Sequence, residues 1–208
     1  MSEFEREPAA AAELFGDRVE LARRFTADLA REGELRGLIG PLELPRLWSR
    51  HVLNSVLMAP LLRPGVVGDV GSGAGLPGLV LAIARPDVKL VLIEPMERRV
   101  DWLTEEAEAL GLDNVEVVRA RAEDARLDAP LDQVTARAVS ALSKLLPLTA
   151  PLLAAGGEFI FMKGARVDDE VVAAQKVIRK LGVRDVRVEL LGEGIVEEPT
   201  RVFRATLP

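Results

Sequence analysis

The sequence predicts a doubly wound α/β fold on a mostly parallel sheet. Three observations point there. From Val66 onward, short runs rich in Val, Leu and Ile alternate with stretches of helical periodicity. The first of those runs ends in a glycine-rich turn, Gly71 to Gly78, that leads into a helical stretch. The alternation continues through five strand–helix units and closes on two successive strands. Repeated βα units imply parallel strands, right-handed crossovers and helices on both faces. Two strands without a helix between them imply a terminal hairpin, which adds an antiparallel edge.

The elements follow in chain order. Ala9 to Arg31 is rich in Ala, Glu, Leu and Arg and predicts a helix. Leu14, Leu21 and Phe25 share its apolar face, and Arg18 interrupts it. Gly33, Gly37, Gly40 and Pro41 break the pattern. Pro45 suits the first turn of a second helix to about Leu62, with an untidy stripe of Leu47, Val52, Val56 and Met58. Residues 1–64 therefore read as a helical extension packed on a core of residues 65–208. The expected core strands are Val66 to Val70, Lys89 to Glu94, Val115 to Arg119, Gln133 to Ala136 and Glu158 to Met162. The expected helices are Gly75 to Arg85, Glu97 to Leu110, Leu142 to Leu153 with a kink at Pro147, and Asp168 to Leu181. Val186 to Leu191 and Arg201 to Thr206 form the hairpin, joined by the loop Gly192 to Pro199.

Composition narrows the chemistry. With 208 residues, 49% hydrophobic and 29% charged, the chain reads as one soluble globular domain. No apolar run is long enough to span a bilayer, and the N-terminus lacks the basic and apolar regions of a secretory signal. The expected location is the cytosol, with no membrane partner. The absence of cysteine excludes disulfides, thiolate metal sites and cysteine nucleophiles. A single histidine, His51, excludes a multi-histidine zinc site, so no metal is expected. The net charge of −6 opposes nucleic-acid binding by bulk electrostatics, so any RNA contact must come from local basic patches. The default expectation for assembly is a monomer.

The run Asp69-Val70-Gly71-Ser72-Gly73-Ala74-Gly75-Leu76-Pro77-Gly78 carries most of the functional signal. Glycines between a strand and a helix let a ligand approach bare main chain, and the helix start offers unpaired N–H groups. The string satisfies two templates. Gly71, Gly73 and Gly75 match the G-x-G-x-G of S-adenosylmethionine enzymes; Gly73, Gly75 and Gly78 match the dinucleotide G-x-G-x-x-G. Three features favour the first: Asp69 at the strand end, where a carboxylate meets a sulfonium directly or through water; Pro77, which crowds a pyrophosphate; and the closing hairpin. Glu94 ends the second strand 19 residues after Gly75, the spacing of a carboxylate that binds ribose hydroxyls. Glu123-Asp124 follows strand three, beside the expected adenine position. Each acid taken alone reads equally as a solvated loop charge.

Methyl transfer from a sulfonium needs alignment more than functional groups. Pyrimidine carbon 5 is excluded as acceptor because there is no cysteine. Exocyclic amines use an Asn/Asp-Pro-Pro-aromatic loop after strand four, where this chain has Thr135-Ala136-Arg137-Ala138-Val139-Ser140. A lone-pair nitrogen such as guanine N7 needs no general base, so none is required. Candidate RNA contacts are Arg46, Arg50, His51, Arg137, Lys163 and Arg166. His51 also reads as a structural or capping residue. The series Arg18, Arg23, Arg24 and Arg31 reads as a solvated helix face.

At this point four motifs stand in order: Arg50-His51-Val52-Leu53-Asn54-Ser55, the glycine loop, Arg137-Ala138 and Met162-Lys163-Gly164. Together, from about Leu47 to Lys163, they resemble the bacterial small-subunit ribosomal RNA guanine-N7 methyltransferases, the glucose-inhibited division protein B family. The resemblance implies a Rossmann-like class I methyltransferase that uses S-adenosylmethionine in the cytoplasm. Its partner would be small-subunit ribosomal RNA, alone or within a partly assembled ribosomal subunit. It implies cofactor contacts at Gly71, Leu76, Ala122, Glu123 and Arg137. Family members carry an Asn-Leu-Thr stretch before the Arg-His motif; here Arg36-Gly37-Leu38-Ile39-Gly40 stands in its place.

Three rival readings make demands of their own. A nicotinamide-dependent oxidoreductase on the same loop would need a Tyr-Lys pair or a late histidine, and there is no tyrosine. A small-molecule methyltransferase would favour an aromatic lid, and the chain has two Trp and six Phe. A non-enzymatic cofactor-binding protein would bind cofactor without transferring its methyl group.

Overall fold

The computed structural model describes residues 4–208. The chain enters through α1 (Ala10–Phe15) and α2 (Val19–Glu32), which the sequence suggested as one helix. Gly16 divides them: it takes φ +52°, which glycine adopts without the Cβ clash that bars other residues, and a 3₁₀ turn over Gly16–Arg18 follows. The expected second helix is also different in kind. A 3₁₀ turn at Leu44–Arg46 leads into a π-helix over Leu47–Leu53, then α3 (Asn54–Val56) and another 3₁₀ turn at Ala59–Leu61. A π-helix closes i→i+5 rather than i→i+4, so its apolar residues do not keep the 3.6 period. That is why the stripe in the sequence looks untidy.

The sheet begins with β1 (Val66–Val70) and α4 (Gly78–Ala84). It continues through β2 (Lys89–Ile93), α5 (Glu97–Leu110), β3 (Val115–Val118) and β4 (Leu131–Arg137). It finishes with α6 (Leu142–Thr149), β5 (Leu153–Lys163), α7 (Val167–Leu181), β6 (Arg184–Leu191) and β7 (Thr200–Thr206). Helix α6 ends before the expected Leu153, because a 3₁₀ turn at Ala150–Leu152 hands the chain directly to a longer β5. Helix α4 starts at Gly78 rather than Gly75, since Gly75 has φ +89° and Pro77 has no N–H to give.

Strand order is β3-β2-β1-β4-β5-β7-β6. Strands β1 to β5 are parallel, and β7 runs antiparallel to both β5 and β6. The hairpin is present, but its second strand is inserted and its first strand forms the edge. Helix α7 acts as a further crossover that starts β6 in the parallel direction, and β7 returns through the gap beside β5. The strand order reverses between β1 and β4, so the crevice for ligands lies beyond their carboxyl ends.

Two apolar layers hold the sheet. On one face α2, the π-helix, α4 and α5 contribute Phe25, Leu29, Trp48, Leu79 and Trp102 against Leu90, Leu92, Ile160 and Met162. On the other, α6 and α7 contribute Leu142, Leu145 and Ile178 against Val91, Ile93, Phe159, Phe161 and Phe203. Alternation along β2 and β5 assigns successive residues to opposite layers, as the pleat requires. The N-terminal helices thus share a core with the sheet. Phe161 is fully buried, 5.7 Å from the Phe159 ring and 6.1 Å from Phe203. Phe161→Ala is expected to lower the unfolding free energy by about 3–5 kcal/mol. Urea denaturation checks this, and a loss below about 1 kcal/mol would contradict the packing.

Candidate active site

Two groups of residues meet at the crevice. The first lies over the ends of β1, β2 and β3. Gly71, Gly73 and Gly75 all take left-handed φ (+71°, +55° and +89°). A Cβ at Gly73 would meet only the Gly71 carbonyl oxygen, at 3.7 Å, so the main chain is open at Gly73, whereas Gly71 and Gly75 pack against Val139 and Leu79. Glu94 follows β2 and is 1% exposed. Its Oε2 accepts from the Gly73 N–H (3.0 Å) and its Oε1 from the Met96 N–H (3.0 Å). Each carboxylate oxygen carries a further lone pair, so the group can still accept hydroxyls. Leu76 is buried behind the loop, and Trp102 donates its indole N–H to the Ala74 carbonyl at 3.1 Å. Beyond β3, the 3₁₀ turn Ala122–Asp124 holds a buried Ala122 and an exposed Glu123.

Asp69 does not reach this surface. It is fully buried; Oδ2 accepts from the Gly78 N–H (3.1 Å) and Oδ1 from the Thr135 hydroxyl (2.9 Å). Its expected meeting with a sulfonium is therefore corrected: it ties the loop, α4 and β4 together from below. Burial raises its pKa to about 6, against hydrogen bonds that lower it. The folded state thus holds this proton more tightly than the unfolded one. Its contribution is greatest below the unfolded value of 3.8 and declines as pH rises to about 6, by about 3 kcal/mol in all. Asp69→Asn keeps the acceptor for Gly78 and cannot ionise. Its stability relative to wild type is expected to rise between pH 4 and 7 in urea titrations; a pH-independent difference would refute the assignment.

The helix start also differs from expectation. The Gly78 N–H is taken by Asp69, and those of Leu79 and Leu81 by the carbonyls of Gly75 (2.9 Å) and Pro77 (2.9 Å). These groups are not left to cradle a pyrophosphate. Gly78 itself packs close, since a Cβ there would lie 2.6 Å from Asp69 Oδ2.

The second group surrounds a cavity of about 740 Å³ beyond β4 and β5. Arg50, His51, Arg137 and Lys163 all line it, together with Asn54, Val139, Ser140 and Arg201. The glycine loop, Glu94, Ala122 and Glu123 do not. The two groups touch where Val139 faces Gly71: a Cβ on Gly71 would lie 2.8 Å from Val139 Cγ2. The loop carrying Val139 contains Ala138 at φ +54°, a sparsely populated conformation for a residue with a Cβ.

Most cavity side chains are already engaged. Lys163 donates to the Ser140 carbonyl (2.8 Å) and pairs with Glu170 (2.7 Å), bracing the loop after β4. Arg50 pairs with Glu198 at 3.4 Å across the mouth. His51 is 7% exposed; its Nε2 lies 2.6 Å from Glu43 Oε2, and its Nδ1 meets Nη2 of Arg137. Burial, then the Arg137 charge, lowers its pKa to about 4 against the pull of Glu43. Burial likewise lowers Arg137, to about 10. Asn54 Oδ1, Ser140 Oγ and Arg137 Nη1 are buried without a hydrogen-bond partner among the described residues.

Other expected contacts fall elsewhere. Arg46 pairs with Glu43 at 2.8 Å. Arg166 is exposed beside α7 and does not line the cavity. Arg18 and Arg24 donate to the carbonyls of Ile83 and Ala109, Arg23 pairs with Glu7 and Glu20, and Arg31 with Asp28 and Glu32. The sequence reading did not single out Glu43, Glu170, Val139 or Glu198. No motif marks them: Glu43 and Glu170 meet partners seven or eight positions away across a turn, and Val139 and Glu198 meet partners distant in sequence. Asn54 stood inside the Arg-His motif without a role. Among the described residues no helix is long and apolar enough to cross a membrane, and no cluster of three or more His, Asp or Glu could hold a metal.

A seven-stranded sheet of this order, with a left-handed glycine loop after β1 and an acid after β2, has the architecture of class I methyltransferases. A methyltransferase from Aquifex aeolicus described as S-adenosylmethionine dependent shares the fold with TM-score 0.58 and 20% identity, over 85% of this chain and 98% of that one. The TYW2 protein of P. horikoshii, solved with MeSAdo, also gives 0.58, at 14% identity over 76% and 62%. The chain belongs to the GidB family, described as rRNA small subunit methyltransferase G, whose model matches residues 18–199. The ribosomal RNA small subunit methyltransferase G of Leifsonia xyli is 71% identical over 98% of this chain and 97% of its own length. That of Clavibacter michiganensis is 66% identical over 97% and 96%.

Proposed function

We propose that this protein transfers the methyl group of S-adenosylmethionine to N7 of a guanosine in small-subunit ribosomal RNA. The observation that carries the reading is the join between an open glycine cradle and a cavity whose carboxylates are each paired. Glu43 is bonded to Arg46 and His51, Glu170 to Lys163, and Glu198 to Arg50. Among the described residues no free carboxylate waits there to remove a proton, and a lone-pair nitrogen needs none. The names of the curated relatives support the RNA class.

The residues fit the cofactor. Bare main chain from Gly71 to Gly75 would hold its methionine portion, Glu94 its ribose hydroxyls, and Ala122 and Glu123 its adenine, with Leu76 behind and Arg137 at the join. When bound, it supplies an electrophilic methyl on a sulfonium. The chain then orients the acceptor ring and excludes water. Four basic side chains, Arg50, Arg137, Lys163 and Arg201, face three acids in the cavity, so this patch is more positive than the chain as a whole. The protein acts in the cytosol as a monomer, on RNA whose shape is already set in a partly assembled subunit.

The test is methyl transfer from labelled S-adenosylmethionine to small-subunit RNA, naked and in assembled subunits, followed by reductive cleavage at 7-methylguanosine. Label in RNA with a single cleavage site is expected. Label without cleavage would exclude N7, and equal rates on both substrates would exclude the need for assembly.

A further inference from the structure

We propose that Glu43 is a positioning residue: it fixes His51 in the Nε2–H tautomer, and His51 aims the Arg137 guanidinium into the cleft. This rests on reading the cleft as the methyl-acceptor site.

The geometry forces one proton arrangement. Nδ1 of His51 faces Nη2 of Arg137, and a guanidinium can only donate, so Nδ1 accepts. Nε2 faces a Glu43 oxygen at 2.6 Å, and an ionised carboxylate can only accept, so Nε2 carries the proton. One neutral ring satisfies both partners; the other tautomer fails both. Glu43 is itself held by Arg46, which donates to its other oxygen at 2.8 Å. The charged groups acting on His51 are Glu43, Arg50 of the π-helix and Arg137 of β4.

The Arg137 end of this hydrogen-bond relay gives the arrangement its purpose. Arg137 Nη1 is buried and has no partner among the described residues. A guanidinium is a rigid fork, so fixing Nη2 fixes the direction of Nη1. A buried donor left unpaired is costly, as expected for one whose acceptor arrives with a ligand. That acceptor is an oxygen, from the cofactor carboxylate or from the RNA. Seven residues separate Glu43 from His51, and a π-helix turns the ring toward β4; neither feature is visible as a motif.

The chain has one histidine, so the ¹⁵N spectrum of histidine-labelled whole protein reports His51 without assignment. At pH 7 the wild type should show a neutral ring protonated on Nε2, with Nδ1 accepting. Glu43→Ala should release a population protonated on Nδ1 and reduce methyl transfer at least about tenfold. Glu43→Gln, whose amide oxygen accepts the same bond, should keep the tautomer and rescue at least about a third of the rate. A rise in the Kd for S-adenosylmethionine would assign the oxygen to the cofactor; a rise in KM for RNA would assign it to the acceptor. An Nδ1–H ring in the wild type would overturn the proposal, and this measurement needs no variant to fold. So would an unchanged rate in Glu43→Ala, or a Gln variant as impaired as the Ala variant. The tautomer is read without methyl transfer, so a correct tautomer in an inactive protein would count against the proposed function alone.

Discussion

Gly71→Asp is expected to weaken S-adenosylmethionine binding at least about 100-fold, beyond detection by calorimetry, and to stop methyl transfer with it. Two effects combine at this position. Its φ of +71° lies where a Cβ costs about 1–2 kcal/mol. The added carbon would also press on Val139 Cγ2 at 2.8 Å, at the join between cradle and cavity. The new carboxylate would then fill the space where bare main chain meets the ligand. Gly73→Ala separates strain from obstruction. It carries a similar φ penalty, but its Cβ meets only one carbonyl oxygen, at 3.7 Å, so the fold should lose no more than about 2 kcal/mol while the cradle is narrowed. NAD should not bind the wild type, because the α4 N–H groups of Gly78 and Leu79 are already bonded within the chain. Wild-type affinity for S-adenosylmethionine in Gly71→Asp would remove the glycine loop from the site.

The sheet was readable because its signals are local. Val66–Val70 and Lys89–Ile93 are short apolar runs next to glycine or proline, and α5 carries a helical stripe closed by Gly111 in the left-handed region. The strand order was less accessible. Nothing in Thr200–Thr206 states that it enters between β5 and β6; that follows from which gap the chain reaches after β6. The N-terminal segment misled for two physical reasons. Alanine-rich sequence around Gly16 has strong helix propensity, which hid a single left-handed residue. The π-helix has no 3.6-residue signature, so it read as a poor α-helix.

The site divided in the same way. Its glycines and Glu94 could be identified because backbone constraints and strand ends leave marks in sequence. Its electrostatics could not. Asp69 looked like a ligand for positive charge because strand ends face the crevice, yet Gly78 lies close enough for Asp69 to serve as its acceptor. Lys163 reads as available in the sequence, but Glu170 on the following helix holds it. Whether a charged side chain is free depends on partners brought near by folding, and no spacing rule encodes that.

Arg137→Ala is expected to reduce kcat/KM for methyl transfer by about 10²–10³, the loss typical of removing one preorganised charged donor. The same change should leave stability within about 1 kcal/mol of wild type. Arg137 is a mostly buried cation whose pKa is pushed down, and its Nη1 has no partner, so it adds little to the fold. Function and stability should therefore separate at this residue, whereas Phe161→Ala affects stability first. Arg137→Lys should not recover more than about a tenth of the activity. An ammonium can donate to His51 or to the ligand, but it lacks the flat fork that reaches both. Removing the guanidinium charge should also raise the His51 pKa above about 4, because Arg137 is the second-largest influence holding it down. Steady-state kinetics with RNA, urea unfolding and histidine titration by NMR measure the three effects. An alanine variant with wild-type kcat/KM, or one that unfolds in step with its lost activity, would assign Arg137 to the scaffold instead of the reaction.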